Sequence, residues 1–188
     1  VIDQNNIVEF WDWVGGRDSL WSSVGLSIAL SVGFKNFKQL LDGANTADNH
    51  FKSQSADKNI PLIMALLDVW YNNFYNYRSQ AIIPYADDLS LFPKFLQQLD
   101  MESNGKSVDK EGNEVEYKTS NVIWGEAGTD RQHSFFQFLH QGKDIVPVDF
   151  IGVRKLDNIH DEILMSNFLA QSKALMEGTV NDNLDTSD

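Results

Sequence analysis

Three short apolar runs, each followed by an amphipathic stretch, constrain the fold of this chain more than any other feature: Gln80-Ala81-Ile82-Ile83-Pro84, Asn121 to Trp124, and Ile145 to Ile151. Runs of this length bounded by turn formers read as buried strands. After the first, Asp87 or Asp88 is placed to cap a helix whose core face is Leu89, Phe92, Phe95, Leu96 and Leu99, ending near Asn104-Gly105. Lys106 to Lys118 is charged, with Gly112-Asn113 between polar arms, and predicts an exposed hairpin or loop. Gly125 to Thr129 leads into a helix carrying Phe135, Phe138 and Leu139, and a last helix is predicted from about Asp157 to Met176. Alternation of strand and helix argues for βαβ units around a parallel sheet flanked by helices, an α/β fold.

The front of the chain reads differently. Leu20, Val24, Ile28 and Val32 recur at every fourth position and predict a largely buried helix from Ser19, ended by Gly33. A second amphipathic helix is expected from about Phe34 to Phe51, and a third from about Ile60 to Phe74 with Pro61 in its first turn. Ahead of them, Gly15-Gly16 permits a tight turn that presents Arg17. The change of pattern places a boundary near Tyr77: a helical segment, 1–77, and a strand-bearing segment, 78–188, whose polar end Asn181 to Asp188 looks unfinished.

Composition removes several function classes. Fifteen Lys+Arg against 27 Asp+Glu give a net charge of −12, which repels a phosphate backbone, so no nucleic acid partner is expected. With no cysteine there is no disulfide framework, thiolate zinc cluster or cysteine nucleophile, and the cytosol is the expected compartment. The richest apolar stretch, Leu20 to Val32, is interrupted by four serines and falls short of the roughly 20 residues a spanning helix needs, so no membrane partner is expected. His133 and His140 lack a third ligand of suitable spacing, and no metal site follows from them.

Four segments carry more specific information. They are Asp12-Trp13-Val14-Gly15-Gly16-Arg17-Asp18-Ser19-Leu20-Trp21-Ser22, Met101-Glu102-Ser103-Asn104-Gly105-Lys106, Trp124-Gly125-Glu126 through Gln132-His133 to His140-Gln141-Gly142, and Asn167-Phe168-Leu169-Ala170-Gln171. In content and order they resemble the glucose-6-phosphate isomerase family, over the chain up to about Gly178. The resemblance covers only the middle of that family's polypeptide. It implies a sugar-isomerase (SIS-type) fold in which 1–77 joins an upstream sugar-isomerase domain and 78–188 forms a second, incomplete one. The sequence departs from the family at Asp18, Ala127 and Asp130-Arg131, and the stretch between Phe150 and His160 is shorter than the family's usual loop.

The family interconverts an aldose phosphate and a ketose phosphate through a cis-enediol(ate), which needs a base, a cation near the developing oxyanion and a ring-opening acid–base group. The resemblance assigns the base to Glu102, the cation to Arg17 and ring opening to His133, a residue type that ordinarily titrates near neutral pH. Gln98, four residues before Glu102 and so on the same helical face, is placed to hydrogen-bond substrate. Glu126, which follows a strand and looks catalytic by position, is given a structural role instead. The family's Ser/Thr-rich phosphate loop and its C-terminal lysine have no counterpart here. No metal or organic cofactor is implied; the partners implied are a sugar phosphate and a second subunit, in a homodimer with shared active sites serving glycolysis and gluconeogenesis. The competing reading is a non-catalytic sugar-phosphate-binding module of the same fold, which would need the phosphate site but not Glu102, Arg17 and His133.

Overall fold

The computed structural model describes residues 2–154 and 159–178. The chain divides into two compact units, the first ending at Leu66 and the second starting at Leu67.

The first unit is helical. A 3₁₀ turn at Arg17–Trp21 and another at Ser23–Gly25 precede α1 (Leu26–Val32), α2 (Phe34–Ser53) and α3 (Ile60–Val69), the last running past the division. The single helix expected from Ser19 is therefore broken. Ser22 breaks it: its hydroxyl donates to the Ser19 carbonyl at 2.6 Å and accepts from Val24 N–H at 3.3 Å, replacing bonds a continuous helix would make. The helix is also not largely buried, since no residue of α1 is buried and Leu30 is 77% exposed. Gly33, at φ +82°, ends α1 as expected.

The second unit is built on a parallel sheet of β1 (Ser79–Tyr85), β2 (Val122–Trp124) and β3 (Val148–Gly152), ordered β2-β1-β3. β1 is central, and its residues Ala81 to Tyr85 are all buried, as expected for a strand covered on both faces. Ala81, Ile83 and Tyr85 form one core with Phe136, against which Trp124, Phe150 and Phe168 pack. Because β2 and β3 lie on opposite sides of β1, right-handed crossovers put the connecting helices on opposite faces of the sheet. The short α4 (Phe92–Leu96) contacts β1 and β2; α5 (Phe136–Gln141) and α6 (Ile159–Glu177) bring Phe136 and Phe168 to the core named above.

Pro84 sits in this central strand without disrupting it. Ala81 N–H donates toward β3, to the Pro147 carbonyl, so by alternation Pro84 faces the other side, where β2 has already ended; the Pro84 carbonyl accepts there from Gly128 N–H at 2.9 Å. The expected helix after β1 resolves into a 3₁₀ turn, Asp87–Leu89, then α4, then a π-helical segment, Gln97–Glu102. Neither aspartate caps it: the residue at the cap position is Ala86, and Asp87 and Asp88 fall in the first turn. The expected loop at 106–118 is a tight polar turn closed by one antiparallel bridge, Val108 to Glu114. The start of the last predicted helix, at residues 157 and 158, lies outside the described residues.

Residues 67–77, read from sequence as part of the front segment, are tied to the sheet by asparagines. Asn73 donates to the Lys118 carbonyl at 3.0 Å and accepts from Lys118 N–H at 2.8 Å, imitating a strand pair with one side chain. Buried Asn121, just ahead of β2, donates to Asp68 at 2.7 Å.

Candidate active site

Glu102 and Gln98 lie on the π-helical segment that follows α4, and both are exposed. The chain leaves β1 at its carboxyl end, returns along this helix and enters β2, so Glu102 sits at the amino edge of the sheet. Two side chains facing β2 fix the segment there. Gln97 Nε2 donates to the Ile123 carbonyl at 2.9 Å, and Met101 S accepts from Ile123 N–H at 3.4 Å. Behind Glu102, Gly105 N–H returns to the Met101 carbonyl at 3.0 Å, and Lys106 Nζ donates to the Glu102 carbonyl at 2.6 Å. Thr119 Oγ1 holds Lys106 twice, accepting from its N–H at 3.0 Å and donating to its carbonyl at 2.9 Å.

The groups around this edge are acidic and partly desolvated. Ser120 Oγ donates to Asp100 at 3.1 Å, and Asn104 Nδ2 donates to the other oxygen of the same carboxylate. Burial pushes the Asp68 carboxyl above its ordinary range; Asn121 opposes this by its hydrogen bond, and the nearby negative charges of Asp100 and Asp149 reinforce it. Asp149, on β3, is raised by burial against the opposing hydrogen bond of 2.7 Å from Gln80. A cavity of about 420 Å³ opens here, lined among others by Arg78, Met101, Gly105, Ser120 and Asn121.

His133 stands elsewhere. It follows β2 past its carboxyl end, in a run of turns at 131–135 rather than on a helix with His140, and it is exposed. The Arg131 carbonyl accepts from Ser134 N–H at 2.9 Å, which shapes this run. Glu126 is engaged by Arg131 in an ion pair. Between β2 and these residues, Gly125 lies against the Ile82 carbonyl at φ +143°, where a side chain has no room. A second cavity, about 260 Å³, lies at the carboxyl ends of β1 and β3, lined by Tyr85, Asp87, Asp88 and Phe168 among others. Burial there pushes the Tyr85 hydroxyl up to about 12.

Arg17 belongs to the first unit. It opens the Arg17–Trp21 turn directly after Gly16, is half-buried, and its guanidinium has no ion pair or hydrogen bond among the described residues. Gly16 adopts φ −32° and ψ −79°, a right-handed conformation, so the turn that presents Arg17 does not draw on a glycine-only backbone. Of the four residues singled out from sequence, the structure brings Gln98 and Glu102 onto one segment and puts His133 at the other edge of the same sheet. Sequence reasoning missed Gln97, Met101 and Thr119. The signal available for the first two was their own four-residue spacing beside Gln98 and Glu102.

Among the described residues no group of three or more His, Asp or Glu could hold a metal ion, and no helix is long and apolar enough to cross a membrane.

Compared with known proteins, residues 1–187 match the family model described as phosphoglucose isomerase. The chain is 53% identical over 180 residues to glucose-6-phosphate isomerase of Christiangramia forsetii, covering 94% of this chain and 33% of that protein. It is 56% identical to the Chlorobium luteolum protein of the same name, with the same coverage. The chain thus spans about a third of the length of the curated relatives it matches. Among solved structures, a glucose-6-phosphate isomerase from Chlamydia trachomatis superposes with a TM-score of 0.85 at 44% identity, over 93% of this chain and 36% of that one. A hypothetical protein from Thermus thermophilus, 21% identical with a TM-score of 0.58 over 73% of this chain and 36% of that one, shares the fold alone. The parallel sheet flanked by helices is accordingly of the sugar-isomerase type.

Proposed function

Because the chain belongs to the phosphoglucose isomerase family, we propose that its full-length protein interconverts glucose 6-phosphate and fructose 6-phosphate through a cis-enediol(ate), with Glu102 as base. The observation that carries this reading is the family match over residues 1–187, which takes in every residue given a role here. Glu102 removes the C2 proton of the open-chain aldose and delivers it to C1, while the O2 proton passes to O1 through the enediol(ate), which leaves the ketose; the reverse reaction runs the same path. Arg17 faces the oxygens of C1 and C2, where its permanent charge and several donors favour the enediolate over the ground state. Gln98, on the segment that carries Glu102, hydrogen-bonds the substrate beside the base. His133 exchanges the proton that opens the sugar ring. The exposure of Glu102, Gln98 and His133 supports these roles, since a group that meets substrate must be reachable. The reaction takes place in the cytosol, in glycolysis and gluconeogenesis.

The base assignment is tested in the full-length protein by Glu102→Gln, which keeps shape and removes basicity. Solvent deuterium incorporation into product should fall by about 10² to 10⁴, the usual worth of a general base, with inhibitor affinity little changed. If Glu126→Gln eliminates exchange and Glu102→Gln does not, the base is Glu126.

The two edges of the sheet bear on how a site is assembled. Glu102 at the amino edge and His133 beyond the carboxyl edge of one sheet suit sites completed between subunits of a homodimer, each taking its base from one chain and its histidine from the other. An isologous interface makes this exchange reciprocal. Co-expression of Glu102→Gln with His133→Ala full-length protein should then give heterodimers with one intact site and up to roughly half the parental activity. Purified heterodimers no more active than either mutant homodimer would overturn shared sites.

A further inference from the structure

Beside Gln98 and Glu102 runs a second pair of side chains, one residue earlier, that bonds to the sheet. Gln97 and Met101, spaced four apart like Gln98 and Glu102, converge on a single residue of β2: Gln97 Nε2 donates to the Ile123 carbonyl at 2.9 Å and Met101 S accepts from Ile123 N–H at 3.4 Å. Ile123 itself is buried. In a parallel strand the N–H and C=O of one residue point to the same side, and those of Ile123 point away from β1, toward the outer edge of the sheet. The two side chains therefore complete an edge that would otherwise expose backbone donors and acceptors, and in doing so they fix the rotation of the helix against the sheet.

That rotation matters because the segment is π-helical, a rare geometry that is frequent at functional sites. Among the described residues, the side chains of this segment that bond to β2 are Gln97 and Met101. Each residue of the clamp immediately precedes one residue of the proposed site, Gln97 before Gln98 and Met101 before Glu102, so a turn of the helix on β2 moves Gln98 and Glu102 together. We propose that Gln97, assisted by Met101, is a positioning residue for the isomerisation: by holding Ile123 it aims the Glu102 carboxylate at the C1–C2 edge of the substrate without touching the substrate itself. This rests on the reading of Glu102 as base.

The experiment uses the full-length protein and steady-state kinetics on fructose 6-phosphate. Gln97→Met keeps an unbranched side chain of similar length and removes the donor. It is expected to lower kcat by about tenfold or more, a misplacement of the order of 1 Å being enough for such losses, with KM within about twofold of the parent. Gln98→Met, on the proposed substrate face, is expected to raise KM. Met101→Leu removes only the weak sulfur acceptor and should lower kcat about threefold at unchanged KM; it serves as the deciding variant if Gln97→Met does not fold. A folded clamp variant with parental kcat, or one whose KM rises as much as its kcat falls, overturns the proposal. Glu102→Gln is measured alongside. Loss of solvent exchange there with an unaffected Gln97→Met refutes the clamp alone, whereas exchange that survives Glu102→Gln refutes the base assignment and with it the clamp as stated.

Discussion

Gly125→Ala is the substitution to which the sheet should respond most. Gly125 follows β2 directly and takes φ +143°, a region essentially restricted to glycine, so any side chain costs about 1–3 kcal/mol in backbone strain. A Cβ there would fall well inside contact distance of the Ile82 carbonyl oxygen, and 2.8 and 2.9 Å from Ile82 C and N. All three atoms are backbone of the buried central strand, which cannot swing aside like the end of a side chain. Forcing strands apart in a packed core costs about 1–3 kcal/mol more. The expected loss, about 2–6 kcal/mol, is a large share of the 5–15 kcal/mol that typically separates a folded domain from its unfolded chain. Urea unfolding of the full-length protein, followed by tryptophan fluorescence, should show a midpoint lower by roughly a few tenths of 1 M to about 1 M at unchanged slope, the slope being steep for a chain of that size. The matched control is Gly43→Ala. Gly43 lies in the middle of α2 with nothing within 4 Å of its Cβ position and no left-handed φ, so alanine should stabilise by up to about 1 kcal/mol. If Gly125→Ala unfolds within about 0.5 kcal/mol of the parent, the close approach of the loop to β1 is not as described.

Other expectations follow from the same geometry. Asp149 carries a pKa raised by burial, so its folded state holds a proton more tightly than the unfolded chain; that contribution is favourable at low pH and is lost as pH rises through the raised value. Asp149→Asn, which keeps an acceptor for Gln80, should therefore be more stable than the parent near pH 7, with the gap closing toward about pH 4, and an equal gap at both pH values in denaturation curves would contradict this. Asn121→Leu removes the partner of Asp68 and leaves a desolvated carboxyl unbonded, a loss expected at about 1–3 kcal/mol; a change below about 0.5 kcal/mol in urea unfolding would show that Asn121 does not tie residue 68 to the sheet. Residues 1–188 expressed alone should not turn over fructose 6-phosphate appreciably, because binding energy from the remote phosphate normally orients the reacting carbons. Turnover comparable to the full-length protein would sink that expectation.

The parts of the fold that were readable in sequence are those set by burial. Ala81 to Tyr85 is apolar throughout because both faces of the central strand are covered, and the alternation of such runs with amphipathic stretches is what a parallel α/β sheet asks for. Features set by single side-chain hydrogen bonds were not readable. Ser22 looks like one more small residue in a helical stripe until its hydroxyl is seen to bond Ser19 and Val24. β3 begins at Val148 rather than Ile145 because Ile145 is 64% exposed and Pro147 offers the ladder only a carbonyl. The boundary near Tyr77 followed the visible change of pattern, while the division at Leu66 depends on asparagines, Asn73 and Asn121, that standard periodicities ignore.

The candidate site divides along the same line. Glu102, Arg17, His133 and Gln98 were reached through motifs, that is, through chemistry that fixes residue type at each position, and a motif carries no information about the rotation of the helix that bears it. Four-residue spacing predicts that Gln98 and Glu102 share a face. It predicts the same of Gln97 and Met101, and six residues are too few to separate an α from a π period. What decides between the two faces is which of them meets an edge with unsatisfied backbone groups, and the edge this segment lies against is that of β2. Ile123 offers a donor and an acceptor on the same side, and it takes the pair holding a complementary donor and acceptor, Gln97 and Met101. The direction of Glu102 is thus linked, through Gln97 and Met101, to strand chemistry at the sheet edge, and the clamp variants measure that link.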